Sequence, residues 1–180
     1  MTKLTTNFRS IFKNLARPRT LAFAFISSAS IFPVAAADLL GNFETWDAYK
    51  SKETQGVVCY VVSEPQSKEP SAAKRDPVFL VINTWPTKNV KQQPNVQIGY
   101  PFKEGSVANV QVGSDKFTFF TQGESAWLKT TDEETRFVDA MRRGSEIQIQ
   151  GTSRRGTLTT DTYALKGISA ALDKADEACK

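Results

Sequence analysis

From Phe43 onward the chain is a succession of short apolar or alternating runs separated by turn residues. "FETWDAY", Phe43 to Tyr49, alternates two sides and is predicted to be a first strand. "VVCYVV", Val57 to Val62, is a continuous apolar run of strand length, the pattern of a strand buried on both faces. The polar, proline-containing stretch from Ser63 to Pro77 is predicted to be an exposed loop. "VFLVINTW", Val78 to Trp85, is rich in β-branched and aromatic residues and predicts a central strand. "PTKNVKQQP" separates it from "NVQIGYPF", where Val96, Ile98 and Tyr100 alternate with other residues. "SVANVQV" and "KFTFFTQ", joined by Gly113-Ser114-Asp115, have the turn chemistry of a hairpin. A short strand at Glu124 to Leu128 follows.

Two segments carry helical signals. "TDEETRFVDAMRRG" offers Thr131 or Asp132 as a cap, Glu133 and Glu134 in the first turn, and Phe137, Val138 and Met141 on one stripe. It ends in Arg142, Arg143 and Gly144, so acids start it and bases finish it, as the helix dipole favours. "ISAALDKADEAC" predicts a second short helix that carries Cys179 back to the body. Between the helices, "EIQIQGT" puts Ile147 and Ile149 on one face and "TLTTDTYAL" is threonine-rich and extended. Ser153-Arg154-Arg155-Gly156 forms the turn between them. Strands outnumber helices, which predicts a mainly β fold: an antiparallel β-sandwich or distorted barrel with one or two short covering helices.

The N-terminus changes the electrostatic picture. Lys3, Arg9, Lys13, Arg17 and Arg19 precede the apolar run Leu21 to Val34, which ends in three alanines. A basic start, an apolar stretch short for a bilayer span and small residues at its end read as a secretory signal, residues 1–37, cleaved between Ala37 and Asp38. An uncleaved anchor is the alternative. Cleavage removes five bases and no acid, so the 23 basic and 19 acidic residues of the whole chain become 18 and 19, net −1. The formal +4 of the full chain thus belongs to the export segment, and nucleic acid is not an expected partner. Residues 38–180 have the length of a single domain, and no later segment is apolar enough to span a membrane.

Two cysteines remain, Cys59 and Cys179. In an oxidising exported compartment such a pair is most simply a disulfide, and closing so long a loop restrains the unfolded chain by about 5 kcal/mol. A reactive thiol is the other reading, although no CxxC partner is present. Histidine is absent altogether. That excludes Ser-His and Cys-His nucleophile pairs and the usual zinc and iron sites. No Walker or dinucleotide glycine motif and no EF-hand loop is found, so neither a cofactor nor a metal is expected. Catalysis would have to rest on carboxylates, Lys, Ser or Tyr. Glu133 with Glu134, or Asp161 opposite another acid, would suit sugar hydrolysis, but a helix first turn and a strand-edge polar residue are the readings preferred for them.

Candidate binding residues lie at the loop ends. Arg154 and Arg155 are either the solvated tip of a hairpin or part of an anion or partner site together with Arg142 and Arg143. Trp46, Trp85, Trp127, Tyr100 and Phe102 either pack the core or line a groove. Gly99 to Phe102, "GYPF", is singled out because Tyr100 and Phe102 beside a proline at a strand end make a rigid contact surface.

"VCYVVSEP", "VFLVINTWP", "IGYPF", "AWL", "VDAMRRG", "GTSRRGTLTTDTYALKG" and the terminal "AC", in that order, resemble the bacterial invasion-associated locus B family from about Phe43 to Cys179. The resemblance implies an exported, envelope-associated protein of Gram-negative bacteria, some members being linked to host-cell entry, with no established enzyme activity. Cys59 and Cys179 match the family's cysteines, and the SRRGT turn matches its glycine-basic hairpin. The resulting expectation is a non-enzymatic protein, periplasmic or outer-membrane associated, that binds an envelope or host protein or glycan and contributes to invasion. A general envelope-stability or chaperone-like factor and a carboxylate-dependent envelope hydrolase are the alternatives.

Overall fold

The computed structural model describes residues 37–180. The predicted signal, apart from Ala37, lies outside them. Eleven strands form one antiparallel sheet in the order β1-β2-β3-β5-β6-β9-β8-β7-β10-β11-β4, not closed into a barrel. The strands are β1 Asp38–Phe43, β2 Trp46–Glu53, β3 Gly56–Ser63, β4 Ser67–Glu69, β5 Phe79–Trp85, β6 Val90–Gln97, β7 Val107–Val112, β8 Asp115–Gln122, β9 Ser125–Trp127, β10 Glu146–Thr152 and β11 Leu158–Ala164. Helices α1, Thr131–Arg143, and α2, Ile168–Ala178, cover it. One face of every strand from β2 onward, β4 excepted, joins both helices in a continuous hydrophobic core. The mainly β expectation holds, with two covering helices.

The alternation of β7, β8 and β10 sends Ala108, Val110, Phe117, Phe119, Ile147 and Ile149 inward and leaves mostly polar residues outside, with Val107 and Phe120 the apolar exceptions. Phe137 of α1 packs edge-on against Phe117 and Phe119, with ring centroids 5.0 and 5.2 Å away. That contact seats the helix, and its cap sets its start. Thr130, which precedes both predicted caps, Thr131 and Asp132, accepts the amide of Glu133 at 3.2 Å, while the Glu133 carboxylate accepts the amide of Lys129 at 3.2 Å. These reciprocal bonds satisfy amides that the first turn leaves unpaired. At the other end of the chain, α2 packs on β1, β2 and β3, and Cys179 just beyond it is bonded to Cys59 of β3 with a Cα separation of 6.0 Å.

Four expectations change. The predicted first strand is two strands: Glu44, with φ 58°, turns the chain so that Phe43 pairs with Trp46. Val57 to Val62 is not buried throughout, because Cys59 and Val61 are fully buried while Tyr60 and Val62, on the opposite face, are only half-buried. Strand β6 starts inside the predicted separator and includes Pro94, which is tolerated because β6 pairs with β9 only from Asn95 onward. Finally, the predicted loop 63–77 contains β4, whose three residues pair with Thr160 to Thr162 of β11. Backbone bonding alone makes that strand, since Ser67, Lys68 and Glu69 are all exposed.

Candidate functional site

The site grows from the inward face of β11. Thr159, Asp161 and Tyr163 are in phase and all buried, opposite Gly151, Ile149 and Ile147 of β10. Asp161 is fully buried, and Arg75, its side chain 5 % exposed, reaches in from the loop after β4 to donate two hydrogen bonds at 2.9 and 2.5 Å. A carboxylate at this depth is tenable because a guanidinium satisfies both oxygens in one plane. The Arg75 guanidinium also sits 5.8 Å from the centre of the Tyr100 ring. Burial works against its charge, but Asp161's hydrogen bonds and charge outweigh that and hold its pKa above the ordinary value. Tyr100 shares a 2.7 Å hydrogen bond with Thr159, and burial pushes its hydroxyl pKa up against the opposing pull of that bond and of Arg75. Tyr163, deeper still, is pushed well above its ordinary 10.0, chiefly by burial and then by the charge of Asp161.

Above this floor lies a cleft of about 610 Å³ between the loop at Pro70 to Asp76, the Gly99 to Pro101 bend and the Ser153 to Thr157 turn. Two glycines permit it. Gly99 has φ 74°, and a Cβ there would collide with the Asp76 carbonyl, whose own amide donates to the Gly99 carbonyl at 3.0 Å. Gly151 leaves the space that Tyr100 and Phe102 occupy; a Cβ would stand 2.8 Å from each. The turn is held to the bend by Arg154 N–H donating to the Pro101 carbonyl at 2.9 Å and is closed by Ser153 and Thr157. Pro70, Ala72, Ala73 and Pro101 supply apolar wall, while Lys74, Arg154 and Arg155 bring three cations to the rim. Among the described residues these three side chains have no ion-pair or hydrogen-bond partner, and Asp76 is the one carboxylate lining the cleft.

The structure brings only some of the predicted residues here. Arg154, Arg155 and Tyr100 line the cleft. Phe102 is 7 % exposed and packs edge-on to Tyr100, itself 9 % exposed, so the aromatic rings support the cleft from beneath more than they present a surface. Arg142 and Arg143 precede β10 and are separated from the turn by its whole length; Arg142 pairs with Asp173 at 2.9 Å. Of the carboxylates considered for hydrolysis, Glu133 caps α1, Glu134 accepts a 3.0 Å bond from Gln93, and Asp161 is ion-paired in the interior rather than at a strand edge. Trp46 is core, while Trp85 and Trp127 are half-buried away from the cleft. Lys74 and Arg75 were missed, although Asp161 falls in the same alternating phase as Tyr163 and so announces a buried acid that needs a cation.

No helix among the described residues is long and apolar enough to cross a membrane. No curated protein sequence matches the chain. The crystal structure of invasion associated protein B from Bartonella henselae is similar in fold, with a TM-score of 0.55 and 14 % identity over 81 % of this chain and 99 % of that one. The family described as invasion associated locus B (IalB) protein matches residues 46–176, from the buried Trp46 of β2 to Asp176 in α2. With that match spanning most of the length, from β2 through β11, all of α1 and most of α2, the chain belongs to the invasion associated locus B family.

Proposed function

We propose that this protein is an exported, non-enzymatic envelope protein whose cleft recognises an anionic group on a protein or glycan partner. The observation that carries the reading is the convergence of Lys74, Arg154 and Arg155, all without a partner among the described residues, on one apolar-walled cleft. Unpaired cations need break no existing ion pair to take up an anion, and arginine forks match carboxylate and phosphate oxygens. Export is supported by the basic and apolar N-terminal segment and by the disulfide. A contribution to host-cell invasion follows the family's name and is carried here as part of the proposal.

The test is titration of the purified protein with inorganic phosphate and with a short glutamate-rich peptide, at low and physiological salt. Binding that weakens with salt and disappears in Arg154→Ala/Arg155→Ala, with the circular dichroism spectrum unchanged, is the expected result. Equal binding by the variant removes the cleft as the site. Protease digestion on intact against lysed cells then separates a surface role from a periplasmic one.

A further inference from the structure

A second surface, remote in chemistry from the cleft, lies on the outer face of the sheet. Thr118 of β8, Asn109 of β7, Gln150 of β10 and Thr160 of β11 are cross-strand partners in one transverse row over four adjacent strands. None of their side chains has a hydrogen-bond partner among the described residues, and all but the half-buried Thr160 are exposed. On one side runs a parallel row, Lys116, Gln111, Gln148 and Thr162. Here the Gln111 amide donates to the Gly113 carbonyl at 2.9 Å and the Gln148 amide to Glu146 at 3.2 Å, so both are partly oriented. Asn109, Gln111, Thr118, Gln148 and Gln150 line a shallow groove of about 350 Å³ with Lys116 at its margin.

The other side of the row is mostly apolar. Two residues along each strand come Phe120, Val107, Thr152 and Leu158. Val107 is 42 % and Leu158 58 % exposed, and half-exposed Phe120 stacks on Trp127 of β9 at 5.7 Å. The face therefore combines a band of neutral donors and acceptors with an apolar band, and its charges, Lys116, Glu146 and Glu69, stand at its edges.

We propose that the outer face of β8, β7, β10 and β11 binds a neutral glycan chain. A ligand matching it must be uncharged, bristle with hydroxyls on one side and present C–H surface on the other, as a pyranose chain does. Each free amide offers a donor and an acceptor side by side, able to engage neighbouring hydroxyls, and the unpaired amides regain on binding the bonds that water otherwise supplies. The strands repeat at about 4.8 Å, so four of them present a row roughly 14 Å long, matched to a repeating ligand rather than to a single small molecule. Among the described residues of this face an acidic partner finds no cation except Lys116, and a purely apolar one would strand the amides.

The test uses the purified protein with chitotetraose, cellotetraose and maltotetraose in turn, followed by the side-chain amide resonances of Asn109, Gln111, Gln148 and Gln150. At least one tetrasaccharide is expected to shift these resonances saturably, and Asn109→Ala/Gln150→Ala to weaken binding by about tenfold or more. The same variant should keep the salt-sensitive binding of phosphate assigned to Arg154 and Arg155, which separates failure of this proposal from failure of the cleft. Response to chitotetraose alone would restrict the ligand to N-acetylated sugars. Absence of any shift at about 10 mM sugar overturns the proposal, as does concentration-dependent shifting of these amides without sugar, which would make the face a contact between copies of the protein.

Discussion

Asp161 in β11 and Arg75 in the loop after β4 are far apart in sequence and joined in the interior, and neither can be removed alone without stranding the other. Arg75→Ala leaves a carboxylate with no exposure and no counter-ion, a change expected to cost about 3–5 kcal/mol in urea unfolding. The pair changed together, Arg75→Met/Asp161→Leu, should recover much of that loss, because it removes both desolvated charges. Recovery no better than either single variant would show that the pair contributes net stability. Tyr163 makes a complementary prediction. Its hydroxyl is buried without a hydrogen-bond partner among the described residues, and its folded pKa lies well above 10.0. Above about pH 10 the unfolded chain sheds this proton while the folded one keeps it, so stability is full below that pH and falls as pH rises beyond it. Tyr163→Phe should therefore be neutral or stabilising at pH 7 and flatten the alkaline loss, measured as urea midpoints from pH 8 to 11.

At the scale of elements, the hairpin β10–β11 and the bend at Gly99 to Phe102 form one device. Gly151 gives Tyr100 and Phe102 room against the hairpin, and Arg154 is anchored to Pro101 by its backbone, so the orientation of the rim arginines depends on packing below them. Gly151→Val is expected to lower stability by about 1–3 kcal/mol through overpacking and to weaken phosphate binding without touching an arginine. Unaltered phosphate affinity would show that the turn holds its shape independently. Helix α1 gives a simpler case. Thr130→Ala removes the capping oxygen and should cost about 1 kcal/mol, while Thr131→Ala, at one of the two positions predicted as the cap, should cost less.

For the whole molecule, the sheet is open, with β1 and β4 at its edges, and the disulfide joins an internal strand to the last helix. Chain-entropy reasoning puts the stabilisation from closing the separation of 120 residues at about 5 kcal/mol. Cys59→Ala/Cys179→Ala should therefore unfold at a distinctly lower urea concentration, and reductant should move the parent protein toward it but leave the variant unmoved. A variant as stable as the parent would show that α2 docks through Ile168, Ala171, Leu172 and Ala175 alone.

The amino-acid sequence by itself determined the mainly β class, both helices and the β7–β8 and β10–β11 hairpins, because period, caps and turn residues are local properties that each segment carries unaided, and it pointed to the cysteine pair because the chain has two cysteines and an export segment. It also marked Arg154, Arg155 and Tyr100. Tertiary structure alone decided the rest. Strand β4 has no hydrophobic pattern and exists because β11 offers it a free edge. The turn at Glu44 is a positive-φ residue that nothing local announces, set by the pairing of Phe43 with Trp46. The ion pair of Arg75 and Asp161, the rim position of Lys74 and the separation of Arg142 and Arg143 from the cleft are all distances through space. A sequence states which side chains are present; which charges share a low-dielectric interior, and which stay unpaired at a rim, follows only when distant segments pack.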